Sequence, residues 1–348
     1  MARHPRLTIV ALAALALAAH AAAQTADPQD LLQQGLKAYQ QRDFDTALDV
    51  WLKGLALAEQ RQDDLLAGSF QGNLGIIYGI LGDDAKAIEH FEESLRMARE
   101  AGDFLGLKNR LNNVAAFYLK VGDLETALAR LEQALPMTRD MGDRPLECRT
   151  LANIGEVYLK QQKNQQAAES LREALTIASE LELPELEINA MSQLGLAYSA
   201  MGNYALALNH FRRAIAITQK AEDGPNKAAL LIRDYNRMGV LVRDLGDPAA
   251  AIAFHQSAAE QARAAGATAL LASGEQQLAE ARAEAAGSPE QLYRLRVDGL
   301  KRMLARLQAH QLDSVAEQVE RQIAKLEEQS EDNQTNAPAE AGPAAASP

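Results

Sequence analysis

LNNVAAFYLKVGDLETALARL (residues 111–131) and MSQLGLAYSAMGNYALALNHF (residues 191–211) decide the fold. Each opens with apolar residues at i, i+3 and i+7: Leu111, Val114 and Tyr118 in the first, Met191, Leu194 and Tyr198 in the second. That spacing draws one stripe along a helix. Each is then interrupted, by Gly122-Asp123 or Gly202-Asn203. Glycine takes the left-handed conformation that ends a helix, and Asp or Asn caps the start of the next. An Ala- and Leu-rich run follows. The unit is two helices joined by a tight turn.

Working outward, the same unit recurs. Ala47, Ala87, Ala127, Ala167 and Ala207 lie 40 residues apart, and Ala251 follows after 44, where residues 223–227 read as a lengthened loop. Twelve residues before each alanine stands another small residue: Gly35, Gly75, Ala115, Gly155, Gly195 and Gly239. Four residues after it stands a ring or large apolar residue: Trp51, Phe91, Leu131, Leu171, Phe211 and His255. Small residues at fixed places let paired helices approach closely. The fourth unit departs from the pattern, with Gln162-Lys163 where others carry Gly-Asp or Gly-Asn, so its turn is expected to be less sharply set.

Leu111, Val114, Ala115, Tyr118, Ala127, Leu131 and Ala134, and still more Met191, Leu194, Gly195, Tyr198, Ala207, Phe211 and Ala214, resemble the tetratricopeptide repeat pattern. The period of 40 is similar to the longer-helix variant of kinesin light chains and bacterial peptide-sensing regulators. The resemblance covers residues 28–266 as six repeats. It implies an all-α, right-handed superhelical solenoid of antiparallel helix hairpins. After Gly266 the register fails, and residues 267–328 are expected to form C-terminal capping helical hairpins that close the open end of the array. Residues 329–348, rich in Ala, Pro, Gln, Asn and Glu, are expected to be disordered.

Composition agrees with this class. Hydrophobic residues make up 47% of the 348, but aromatics only 5%, which favours helix over sheet. The net charge of −12 disfavours nucleic acid and anionic membranes as general partners. At the N-terminus, Arg3, His4 and Arg6 precede an apolar stretch from Thr8 to Ala19, then Ala21-Ala22-Ala23. Residues 1–23 therefore read as an export signal cleaved after Ala23, which predicts a periplasmic or secreted protein with no stable membrane anchor after cleavage. The single cysteine, Cys148, rules out an internal disulfide and reads as a packed thiol.

The candidate site lies one stripe over from the buried one. Two residues before each small residue the chain carries Gln33, Asn73, Asn113, Asn153, Gln193 and Arg237. Six before it stand Asn109, Arg149, Asn189 and Arg233, and five after it Lys120 and Lys160. These offsets share one helix face. A carboxamide offers both a donor and an acceptor to an extended backbone, and interleaved Arg and Lys favour carboxylates on the ligand. The resemblance implies that this face is concave and holds peptides, with asparagine at the −2 place similar to the family's backbone-clamping residue. The expected partner is thus a protein or peptide segment, possibly acidic, and neither spacing nor composition sets an oligomeric state. A scaffold for an envelope complex, working through its convex or capping surfaces, is the alternative. No phosphate loop, nucleophile elbow or metal-ligand cluster is present in the sequence, so catalysis, cofactors and metals are not expected.

Overall fold

The computed structural model describes residues 27–224, 226–309 and 313–335. The expected export segment and residues 336–348 lie outside them. Fifteen α-helices and no strand occur among the described residues. Twelve form six hairpins: α1 (Pro28–Gln40) with α2 (Phe44–Gln60), α3 (Asp64–Leu81) with α4 (Asp84–Glu100), α5 (Phe104–Val121) with α6 (Leu124–Asp140), α7 (Arg144–Lys160) with α8 (Asn164–Glu180), α9 (Pro184–Ala200) with α10 (Tyr204–Lys220), and α11 (Lys227–Asp244) with α12 (Pro248–Ala264). Then come α13 (Thr268–Ala285), α14 (Pro289–Ala309) and α15 (Asp313–Thr335). The class is an all-α helical-repeat solenoid. The chain divides into two compact units, Met1–Asn153 and Ile154–Pro348, at a point inside α7.

Within each hairpin one contact recurs, between the small residue of the first helix and the side chain 16 positions later in the second. A Cβ built on Gly75 would lie 2.6 Å from the Phe91 ring. On Gly155 it would lie 2.5 Å from Leu171, on Gly195 2.5 Å from Phe211, and on Gly239 2.5 Å from His255. Gly35 is pressed against Trp51 in the same way. Carbon atoms in contact prefer ~3.5–4.0 Å, so each ring occupies the volume a methyl group would need. Trp51, Phe91, Leu131, Leu171, Phe211 and His255 are all buried there. In the third hairpin Ala115 replaces glycine, and both it and Leu131 are fully buried.

Helix starts in the first unit keep a period of twenty. Asp43, Asp63, Asp83, Asp103, Asp123 and Asp143 each accept a hydrogen bond from the backbone N–H three residues on, the geometry of an N-cap. Gly82 and Gly122 end α3 and α5 with φ of 82° and 88°. The turn between α7 and α8, expected to be less sharply set, keeps the closing bond of the glycine turns, with the Lys163 N–H donating to the Tyr158 carbonyl at 2.9 Å as the Asn203 N–H does to the Tyr198 carbonyl at 2.8 Å. Gln162 takes φ of 60° there, unfavourable for a residue with a Cβ, and Lys163 supplies no side-chain cap to α8.

Beyond Gly266, where capping hairpins are expected, three helices follow. The single helix α13 packs on α12 and reaches α11, while α14 and α15 pair with each other and turn elsewhere. A Cβ on Gly299 of α14 would lie 2.6 Å from the Asp244 carbonyl, and Gly246 (φ 81°) abuts the backbone at Arg296. Arg302 donates to the Asp244 carbonyl at 3.2 Å. Leu300, Met303 and Leu307 from α14, with Ala316, Val319 and Ile323 from α15, join a core that includes Tyr204, Phe211, Met238 and Leu241. Backbone-to-backbone approach at two glycines draws this hairpin onto the α11–α12 turn. The last helix also continues through residues 329–335, which the sequence reading had assigned to a disordered tail.

Three histidines sit on second helices. His90 stacks on Tyr78 with ring centres 5.1 Å apart, and His210 on Tyr198 at 5.4 Å. The Nδ1 of His255 lies 3.1 Å from the Asn236 Oδ1. His210 Nδ1 and His255 Nε2 are buried with no hydrogen-bond partner among the described residues. Burial is the main cause that holds all three below the usual imidazole range. The unfolded chain therefore binds more protons than the folded one below about pH 6.5. Stability from these groups is complete above that pH and is lost as pH falls through the depressed folded values. The melting temperature is expected to hold between pH 8 and 7 and to drop between 6.5 and 5. Replacing His255→Leu, the residue at this place in two other hairpins, together with His210→Phe should shrink the drop. An unchanged drop would assign acid sensitivity to other groups.

Candidate functional site

An offset of two residues along a helix is a rotation of about 200°. Since Gly75 and Ala115 face the second helix of their hairpins, Asn73 and Asn113 point away from it. First helices also pack on one another, α1 on α3 and α3 on α5. In the first unit this places Asn73 and Asn113 at equivalent positions on neighbouring helices, on the side away from the outer layer. Asn113 is exposed, and Asn73 and Asn153 are half-buried. None of the three side chains has a hydrogen bond to a described residue.

Other members of the stripe are more committed. Asn109 is exposed, and its Nδ2 donates to the Leu105 carbonyl of its own helix at 3.2 Å. Lys120 reaches across to the Gly79 carbonyl of α3, tying two first helices together while its charge stays at the surface. Arg149 is exposed. The sequence reading missed the apolar part of this face. Leu65 and Leu105, ten residues before the small position, are 52% and 67% exposed, and Ile80 is 41% exposed. They extend the stripe by steps of four or three residues. Apolar residues that recur off the buried stripe were the signal that could have found them.

Beneath that face lies a polar layer that the sequence reading also missed. The buried Lys108 ammonium pairs with Asp143, and buried Asn112 accepts from the Thr150 hydroxyl at 3.0 Å. Arg110 donates to the Ser94 and Leu65 carbonyls at 3.1 and 3.3 Å. A Cβ on Gly68 would lie 2.8 Å from that guanidinium. Lys108 falls at a position where other hairpins carry Gly68, Cys148, Ile188 and Ile232. A charged residue in a small or apolar slot was the available sign.

In the second unit the expected stripe is partly overturned. Gln193 is buried, not displayed. Its Nε2 lies 3.5 Å from the Glu156 Oε2, and its Oε1 is buried with no partner among the described residues. Arg233 and Arg237 do not stand free for ligand carboxylates, because both converge on Asp234, which is fully buried. Arg233 donates to its two oxygens at 2.9 and 3.1 Å. Arg237 lies 3.5 Å from Asp234 and donates to Ser192, whose hydroxyl in turn donates to Asp234. Burial, and after it the neighbouring Arg233, pull the Arg237 guanidinium down to about 10, against the pull of Asp234 and Glu156. It remains charged at neutral pH. Asn189 is half-buried, and Lys160 is exposed with its ammonium 4.0 Å from Glu156.

Arg237 does open onto a cavity of about 240 Å³, lined also by Leu196, Ser199, Val240, Ser273 and Gln277. The Oε1 of Gln277 is buried and unpaired among the described residues. The two units thus present different chemistry: unpaired carboxamides flanked by exposed leucines in the first, a pocket backed by two arginines that share one buried carboxylate in the second. Among the described residues no group of three His, Cys, Asp or Glu could hold a metal ion.

The family model for the tetratricopeptide repeat matches residues 109–180 and 186–264, and that for anaphase-promoting complex subunit 5 matches residues 31–117. No curated protein matches the chain in sequence. Among solved structures, the chain is similar to the apo form of the quorum sensor NprR from B. thuringiensis, with a TM-score of 0.61 and 19% identity over 81% of this chain and 79% of that one. It is similar to aspartyl phosphate phosphatase F from Bacillus subtilis, with a TM-score of 0.56 and 14% identity over 80% and 75%. A Rap protein complexed with Competence and Sporulation Factor gives 0.54 and 16% identity over 76% of each. At these identities the likeness is one of fold.

Removing Asp234 would leave two arginines crowded without their shared carboxylate. Asp234→Ala is expected to destabilise the protein by about 3–5 kcal/mol. Asn113→Ala, at an exposed position with no partner, should change stability by less than about 0.5 kcal/mol. Urea unfolding of both variants checks this, and equal losses would contradict the assignment.

Proposed function

We propose, from the match of the tetratricopeptide-repeat model to residues 109–180 and 186–264, that this array of helical hairpins is a non-catalytic module of the bacterial envelope that captures an extended peptide or protein segment. The fold is that of a protein- or peptide-interaction module. The observation that carries the finer reading is the pair of unsatisfied carboxamides, Asn73 and Asn113, at equivalent positions on neighbouring first helices of the first unit. Asn153 continues the series at the end of that unit. Each can donate to a carbonyl and accept from an N–H of an extended chain. Exposed Leu65 and Leu105 supply apolar contacts on the same face, and Arg149 gives a carboxylate on the ligand a partner.

Magnitudes require both kinds of contact. A few hydrogen bonds at ~1 kcal/mol each do not by themselves exceed the ~4–15 kcal/mol cost of association. Fully burying two leucines adds ~1.5–3 kcal/mol each. An affinity on the order of micromolar, about −8 kcal/mol, is the expected result. Complex formation with Competence and Sporulation Factor in one structural neighbour supports a ligand-holding role on this scaffold. The envelope location rests on the basic head and apolar run of residues 3–19.

The test uses affinity capture from an envelope extract by full-length protein processed in the cell. Asn113→Ala with Asn153→Ala should abolish capture with helicity and melting unchanged, whereas charge reversal on exposed positions of the second helices should leave capture intact. Capture retained by the asparagine double variant would defeat the proposal.

A further inference from the structure

The C-terminal hairpin does not seat flush where it docks on the second unit. Between α14 and the helices α10 and α12 lies a cavity of about 460 Å³. Leu208, Phe254, Leu300 and Met303 give it apolar walls, and Arg212 of α10 and Arg296 of α14 also line it. The cavity opens to solvent on the side where Arg212, Asp247 and Arg296 are exposed, so a ligand can enter without rearrangement of the hairpin. The volume falls within the ~300–1,000 Å³ typical of small-molecule sites, which combine apolar walls with a few polar groups.

Charge narrows the class of ligand. Neither Arg212 nor Arg296 has an ion pair or hydrogen bond to a described residue, in a chain of net charge −12. One carboxylate, Asp247, also lines the cavity, but it accepts from the Ala250 N–H at 2.9 Å as the cap of α12. Two unpaired guanidinium groups against one engaged carboxylate leave positive charge beside an apolar volume. We propose that this cavity binds a single-chain anionic amphiphile, a fatty-acid-like carboxylate, with its chain among the leucines and Phe254 and its head at the arginines. The site lies apart from the asparagine face and does not depend on the peptide reading.

Dodecanoate, below its critical micelle concentration, is the probe, titrated calorimetrically into the full-length protein beside butyrate, dodecanol and dodecyltrimethylammonium. Dodecanoate should bind at one site, dodecanol about tenfold more weakly, and the cation and butyrate not measurably. Arg212→Gln with Arg296→Gln should lower dodecanoate affinity roughly tenfold, leaving dodecanol unchanged. Met303→Trp, which fills the cavity, should block both, and circular dichroism reports whether it folds. Asn113→Ala with Asn153→Ala should bind dodecanoate as the parent does, which separates this site from the peptide face. The proposal is overturned by butyrate binding as tightly as dodecanoate, by arginine variants that bind normally, by binding only above the micelle threshold, or by no saturable binding.

Discussion

The structure depends on one repeated approach of helices, in which a residue with little or no side chain on the first accepts a buried ring or leucine from the second, 16 positions on. Gly35 with Trp51, Gly75 with Phe91, Gly195 with Phe211 and Gly239 with His255 are versions of the same contact. Because the inserted group fills the place of a methyl, the contact fixes both the distance between the helices and their rotation about their own axes. Overpacking such a site typically costs ~1–3 kcal/mol. The rotation matters most for function. It determines which residues of the first helix face inward and which, about 200° away, are left to meet a ligand.

The unpaired asparagines of the first unit follow from that geometry. Fixed rotation puts Asn73 and Asn113 on the face away from the outer layer, at equivalent positions of two first helices that touch. The layer beneath them is polar and internally satisfied through Lys108 with Asp143 and Asn112 with Thr150. A buried ion pair of this kind contributes little net stability but penalises arrangements that separate its partners. The surface asparagines carry no such internal duty, which leaves their donors and acceptors free for a second chain.

The hairpin architecture was legible because its determinants are local and repeat: a glycine, a ring 16 residues later, and a turn between them. The half-turn alternation of stripes was legible for the same reason, and it sets Asn73, Asn113 and Asn153 two residues from the small positions Gly75, Ala115 and Gly155. Asp234 lies one residue from Arg233 and three from Arg237 on the same helix, so that pairing could have been read locally. The burial of Asp234, and the approach of Ser192 to Arg237 and of Glu156 to Gln193 from other helices, could not. The place where the C-terminal hairpin docks was not legible because register ends at Gly266: the apolar stripe of Leu300, Met303 and Leu307 shows that α14 packs on something, but not on what, and the backbone contacts at Gly246 and Gly299 join residues distant in sequence. Helix α15 was cut short because its polar end, residues 329–335, lacks the apolar stripe by which helices are recognised in sequence.

The account turns on which face of the hairpins meets the partner. Site-specific photo-crosslinking in intact cells reads this directly, with the reactive residue placed at exposed Ala116, three residues after Asn113 on α5, or at exposed Glu132 on α6. The account predicts that Ala116 crosslinks to one short segment of a partner and that Glu132 does not. Crosslinks confined to Glu132 would place the partner on the outer layer and contradict it.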